Sequence, residues 1–131
     1  MRPCFVRLLL AVFAVTTGTG AGCPPQEPPT FTHLQEQIFQ PRCSFAACHG
    51  GSGAVAGLDL ASNAYGTLVN VASSEDPTVL RVKPGDPDNS LLYQVLVGEV
   101  GNTRQMPPGA TLPAEEIELV RLWVEAGAED N

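Results

Sequence analysis

Apolar residues recur at helical spacing in separate stretches of the chain, divided by segments rich in glycine and proline. The first stretch is THLQEQIFQ at 32–40, where Leu34, Ile38 and Phe39 fall on one helical face. Thr32 with Gln35 three residues on has the form of a capping box, and Pro41 is expected to stop this helix just before Cys43. The second stretch carries Leu91, Leu92, Val95 and Leu96. It opens at Asp86-Pro87, an acceptor followed by a residue suited to the first helical position, and is expected to end near Gly98. The third runs from Pro113 to Ala126, with Ile117, Val120, Trp123 and Val124 apolar and Gly127 at its stop. Glu115, Glu116 and Glu118 complement the positive end of its dipole. A shorter helix is expected around Ser62 to Val69, and only Val79-Leu80-Arg81-Val82 has strand character. The segments at 49–60, 72–85 and 101–111 read as loops. The expected fold class is mainly α.

The apolar run Leu8 to Val15 is of another kind. Preceded by Arg2 and Arg7, it has the form of an export signal over residues 1–22, and it is far shorter than the ~20 residues a bilayer span needs. Gly20-Ala21-Gly22-Cys23 resembles the end of a bacterial lipoprotein signal, which makes Cys23 the expected lipid anchor; ordinary secretion is the alternative. Residues 23–30 include four prolines and read as a semi-rigid tether, leaving 31–131 as the domain. A domain of about 100 residues has a modest core, and this one is poor in aromatic residues, so a bulky buried cofactor would help to fill it.

Charge narrows the partners. Without the signal, Arg42, Arg81, Lys83, Arg104 and Arg121 face all 14 acidic residues, a formal charge of −9. Such a surface argues against nucleic acid, whose phosphates require Lys and Arg. It is compatible with steering towards a basic protein partner, or with solubility alone.

Cys4 belongs to the signal and Cys23 to its end, so the domain holds Cys43 and Cys48, in the stretch RCSFAACHG. A cysteine pair with His49 directly after it has the elements of covalent haem attachment, in which two thiols add across vinyl groups and a neighbouring histidine ligates iron. The usual spacing has two intervening residues; here there are four, Ser44 to Ala47. Met106, in Arg104-Gln105-Met106-Pro107-Pro108-Gly109, is the single methionine after the signal and the candidate sixth ligand, a pairing suited to electron transfer. His33 is the other histidine, and reads as a capping or solvated residue. Alternatives stay open. The cysteines suit a disulfide, although so short a loop gains little from one. They also suit zinc, with His49 and His33 completing the site. Met106 alone would pass for a core filler.

Taken in order, IFQPRCSFAACHGG, GLDL at 57–60, VKPGDPDNSLL at 82–92, MPPG at 106–109 and LPAEEIELVRLWVEAGA at 112–128 resemble a bacterial monohaem c-type cytochrome domain of the planctomycete type. The likeness spans nearly all of 31–131. It implies a cytochrome c-like small helical domain wrapped around one covalent haem c. By the resemblance, Cys43 and Cys48 carry the thioethers, His49 is the proximal ligand and Met106 the distal one. It also implies first and last helices packed through aromatic residues, for which Phe39 and Trp123 are the candidates. Arg104, or Arg81 and Lys83, are candidates for neutralising the haem propionates. The function implied is single-electron transfer between redox proteins on the periplasmic side of a membrane, without independent catalysis. The alternatives are a haem peroxidase, a cytochrome subunit of an exported dehydrogenase, and a non-haem disulfide or zinc module.

Overall fold

Residues 31–42 are helical throughout but not uniformly wound. In the computed structural model, which describes residues 27–98 and 100–131, α1 (Phe31–Leu34) passes into a π-wound turn (Gln35–Phe39) and then into α2 (Gln40–Arg42). The stretch read as an export signal and Cys23, the expected lipid anchor, lie outside the described residues. The expectation that Pro41 stops the helix is corrected: Pro41 sits inside α2, and the helix ends at Cys43. A proline within an α-helix lacks the N–H for the carbonyl four residues back and crowds that carbonyl. Here the Gln40 N–H already bonds five residues back, to the Gln35 carbonyl, and this wider register accommodates the ring.

The helix start is also corrected. Thr30, not Thr32, is the N-cap, its hydroxyl accepting from the His33 N–H at 3.1 Å. The two N–H groups before it are satisfied from the far end of the chain. Phe31 donates to Asn131 Oδ1 at 2.8 Å and Thr32 to the Asn131 carbonyl at 2.9 Å. These bonds join the first helix to the C-terminal residue and answer orphan donors that every helix start leaves.

α3 (Ala64–Leu68), α4 (Leu91–Val97) and α5 (Ala114–Glu125) follow, close to the expected positions. The helix expected from Asp86-Pro87 is divided: a 3₁₀ turn over Pro87–Asn89 is capped by Asp86, and α4 starts only after Ser90. Ser90 is fully buried and bridges the two pieces. Its hydroxyl accepts from the Lys83 N–H and donates to the Asp86 carbonyl, both at 2.8 Å. α5 ends in a Schellman turn, with Ala128 N–H on the Trp123 carbonyl and Gly127, at φ 113°, on that of Val124. Among the described residues there is no sheet. The strand character of 79–82 survives as isolated bridges, Leu80 to Ala72 and Val82 to Val69. The fold is mainly α.

The apolar faces read from the sequence form the core: Leu34, Ile38, Phe39, Val120, Trp123 and Val124 are all at most 1% exposed. The aromatic packing differs in one partner. Phe31 joins the first and last helices, with ring centroids 5.4 Å from Trp123, 6.2 Å from Phe39 and 5.2 Å edge-on from Tyr65. Trp123 Nε1 donates to the Glu129 carbonyl at 2.9 Å and the Tyr65 hydroxyl to that of Ala128 at 3.0 Å, so both polar tips are answered by the C-terminal tail.

Candidate cofactor site

The four residues between the cysteines close into a turn. Cys43 ends α2 by donating to the Phe39 carbonyl at 2.9 Å, and the Ser44 hydroxyl donates to the Gln40 carbonyl at 2.7 Å. The chain then reverses, with Cys48 N–H on the Phe45 carbonyl at 2.8 Å and His49 N–H on the Cys43 carbonyl at 3.2 Å. The longer spacing is thus absorbed by a hydrogen-bonded loop that returns His49 beside Cys43. Gly50 is required for the return. A Cβ there would lie 2.4 Å from the Ser44 carbonyl oxygen. Gly50→Ala is therefore expected to cost about 1–3 kcal/mol, the range for overpacking, and to displace the cysteine loop. Urea unfolding of the variant checks it, and an unchanged midpoint would refute the close approach.

Beyond His49 the backbone is fixed from two sides. The His49 carbonyl accepts from Leu60 N–H at 2.7 Å. Asp59 Oδ1 accepts from the N–H groups of Gly51, Ala61 and Ser62 at 3.1, 2.9 and 3.0 Å, and these bonds, Ser62 foremost, hold its carboxyl below the usual range. Arg81 adds a third restraint. Its guanidinium donates to the carbonyls of Ala56 (2.5 Å), Gly57 (3.3 Å) and Thr67 (2.7 Å), tying the loop after His49 to α3. Burial lowers its pKa. Met106 is placed by its N–H on the Val95 carbonyl of α4 at 2.8 Å. The turn leading to it is a small hairpin, in which Val100 and Thr103 exchange bonds of 3.0 and 2.8 Å around Gly101-Asn102.

Cys43, His49 and Met106 line one cavity of about 410 Å³. That volume lies within the roughly 300–1,000 Å³ of cofactor clefts. Its walls are largely apolar, from Ile38 and Phe39 of the first helix, Leu68 of α3, and Leu92, Val95 and Leu96 of α4. Polar groups on the lining include Ser73, Glu75, Arg81, Asn102 and Arg104. Cys48 is half-buried next to His49 but is not among the lining residues, and neither is His33. Cys43 and Cys48 are free thiols, and among the described residues no three His, Cys, Asp or Glu side chains gather as a metal-holding group.

No protein family, curated protein or solved structure matches the chain. His49 Nδ1 is buried without a hydrogen-bond partner among the described residues. Burial lowers the pKa of His49, against the opposing influence of the Val55 and Leu58 backbone, so the ring is held towards the neutral form that binds metals. A neutral imidazole, a thioether and a thiol on one apolar cavity are a donor set that fits haem. Burial also pushes the Cys43 thiol up to about 11, with Arg42 opposing. Haem-free protein at pH 8 is accordingly expected to alkylate at Cys43 about a hundredfold more slowly than a free thiol, because the thiolate is the nucleophile. Timed iodoacetamide labelling with peptide mapping checks this, and a free-thiol rate would refute it.

Sequence reasoning did not find Ser73, Asn102 or Thr103 on the cavity, nor the three-carbonyl grip of Arg81. The Gly101-Asn102 pair is a legible turn signal. Nothing local marks the others, because they reach the cavity from loops.

Proposed function

We propose that this protein is an exported c-type cytochrome that carries single electrons through one covalently held haem. The observation that carries this reading is the convergence of Cys43, His49 and Met106 on one apolar cavity, with Cys48 a turn away. Cys43 and Cys48 would hold the group by thioether bonds, and His49 and Met106 would ligate its iron. When bound, haem supplies a ferrous/ferric couple whose potential a His/Met pair raises. The chain's part is to bury the ring, keep water from it and fix both ligand loops to helices. Were His49 and Met106 both to ligate the iron, no position on it would remain for substrate, and the protein would act as a carrier and not as an enzyme. Its partners are then other redox proteins, basic ones being favoured by the −9 charge of the exported chain. Cys23 would tether it on the periplasmic side of a membrane.

The test is expression with an export pathway and haem-attachment machinery, followed by haem staining after denaturing electrophoresis. A stained band is expected from the native chain and none from the Cys43→Ser/Cys48→Ser double variant. An unstained native chain sinks the reading.

A further inference from the structure

Carboxylates outnumber basic residues in this chain by 14 to 7, so a guanidinium without a carboxylate partner is unexpected. Among the described residues Arg42 pairs with Glu116 at 2.6 Å, Lys83 with Asp86 at 2.7 Å, and Arg121 with Glu118 and Glu125 at 3.0 and 2.8 Å. Arg81 and Arg104 pair with no carboxylate among the described residues, and both line the cavity. Arg104 is exposed on the loop that presents Met106, and Arg81 is half-buried against the loop that follows His49. The three carbonyl bonds of Arg81 leave N–H donors unused, since a guanidinium carries more than three. Glu75 is also on the lining, a single carboxylate against two guanidinium groups, with Ser73, Ser74, Asn102 and Thr103 as neutral lining residues. An apolar cavity edged by two cations and one carboxylate, the cations paired with no carboxylate among the described residues, suits an occupant with an apolar body and acidic ends.

We propose that Arg81 and Arg104 form the carboxylate-binding edge of this cavity and that Lys83, engaged with Asp86, takes no part. This deepens the haem reading and rests on it: the carboxylates are the haem propionates. Guanidinium groups are suited to the task, as they offer paired donors to a carboxylate and keep it ionised. An ionised carboxylate near iron favours the ferric form, and its protonation therefore raises the reduction potential. Propionates held ionised by both arginines contribute a constant amount between pH 5 and 8.

The experiment is spectroelectrochemical titration of the haem-loaded protein across that pH range, for the native chain and for Arg81→Gln, Arg104→Gln, Arg104→Lys and Lys83→Gln. The native chain and Lys83→Gln are expected to hold a level potential. In Arg104→Gln and Arg81→Gln the potential is expected to fall as pH rises, with the slope largely removed again in Arg104→Lys. Because Arg81 also grips three carbonyls, its variant is read only where the haem spectrum is retained; exposed Arg104 carries the test otherwise. Level potentials in both glutamine variants would overturn the assignment, as would a sloping native chain. A native chain without covalent haem would instead remove the reading beneath it, an outcome distinct from haem present with unchanged slopes.

Discussion

Met106→Ala is expected to leave haem attached while removing the methionine–iron absorption band and lowering the reduction potential by on the order of 100 mV, a fraction of the roughly 0.8 V over which axial ligands act. On the proposed reading attachment would depend on Cys43 and Cys48, which the substitution does not touch, so the stain would persist. The potential falls because a thioether favours ferrous iron, and that preference is lost with the side chain. Met1 is the only other methionine in the sequence, so nothing of the same chemistry lies near to replace it. The rival reading makes Met106 a filler of apolar space. A filler would change the melting temperature and leave the potential and the band as they were. Spectroelectrochemistry of the purified variant separates the two, and an unaltered potential would remove Met106 from the ligand set.

The parts of the fold that were legible in the sequence are those with both a period and an end signal. α5 has Glu115, Glu116 and Glu118 near its start, an apolar stripe and Gly127, and it lies at Ala114–Glu125 against an expected Pro113–Ala126. Its ends follow local chemistry, with one distant addition, the Gly85 N–H on the Val124 carbonyl at 2.7 Å. The N-terminal helix failed the same approach at both ends, for a tertiary reason. Its first N–H groups are answered by Asn131, a hundred residues away in sequence, and its passage through Pro41 depends on a π-wound turn that no periodicity rule foresees. Ser90 breaks the Asp86 helix because its buried hydroxyl bonds the backbone at Lys83 and Asp86, a local competition visible only once the side chain is known to be inside.

The candidate site divides in the same way. Cys43, His49 and Met106 were readable from residue type and spacing, since few side chains in the domain have their chemistry. That they share a cavity could not be read, because its walls come from the first helix, α3, α4 and loops that touch nothing adjacent in sequence. The four-residue spacing looked like the weakest part of the motif. In the structure it is a hydrogen-bonded turn whose closing bond runs from His49 to Cys43, and its cost falls on Gly50 instead.

Trp123→Ala is expected to destabilise the domain by about 3–5 kcal/mol, a large share of the roughly 5–15 kcal/mol that holds a small domain folded. Trp123 is 1% exposed and packs against Phe31 of the first helix, whose ring also meets Phe39 and Tyr65. Truncation leaves a void where α5 meets the N-terminal helix, and those helices are held in place by bonds at their ends that cannot easily follow a collapse. The indole also donates to the Glu129 carbonyl, and that tail carries the Ala128 acceptor for Tyr65 and the Asn131 acceptors for Phe31 and Thr32. Loss of the donor therefore loosens the start of the first helix as well as the end of the last. Trp123→Phe separates these contributions. It keeps an aromatic ring in the core but cannot donate, so it is expected to fall between the native chain and the alanine variant. Urea unfolding monitored by circular dichroism measures all three. A loss below about 0.5 kcal/mol for Trp123→Ala, the range of ordinary surface changes, would mean that this crossing does not hold the fold together.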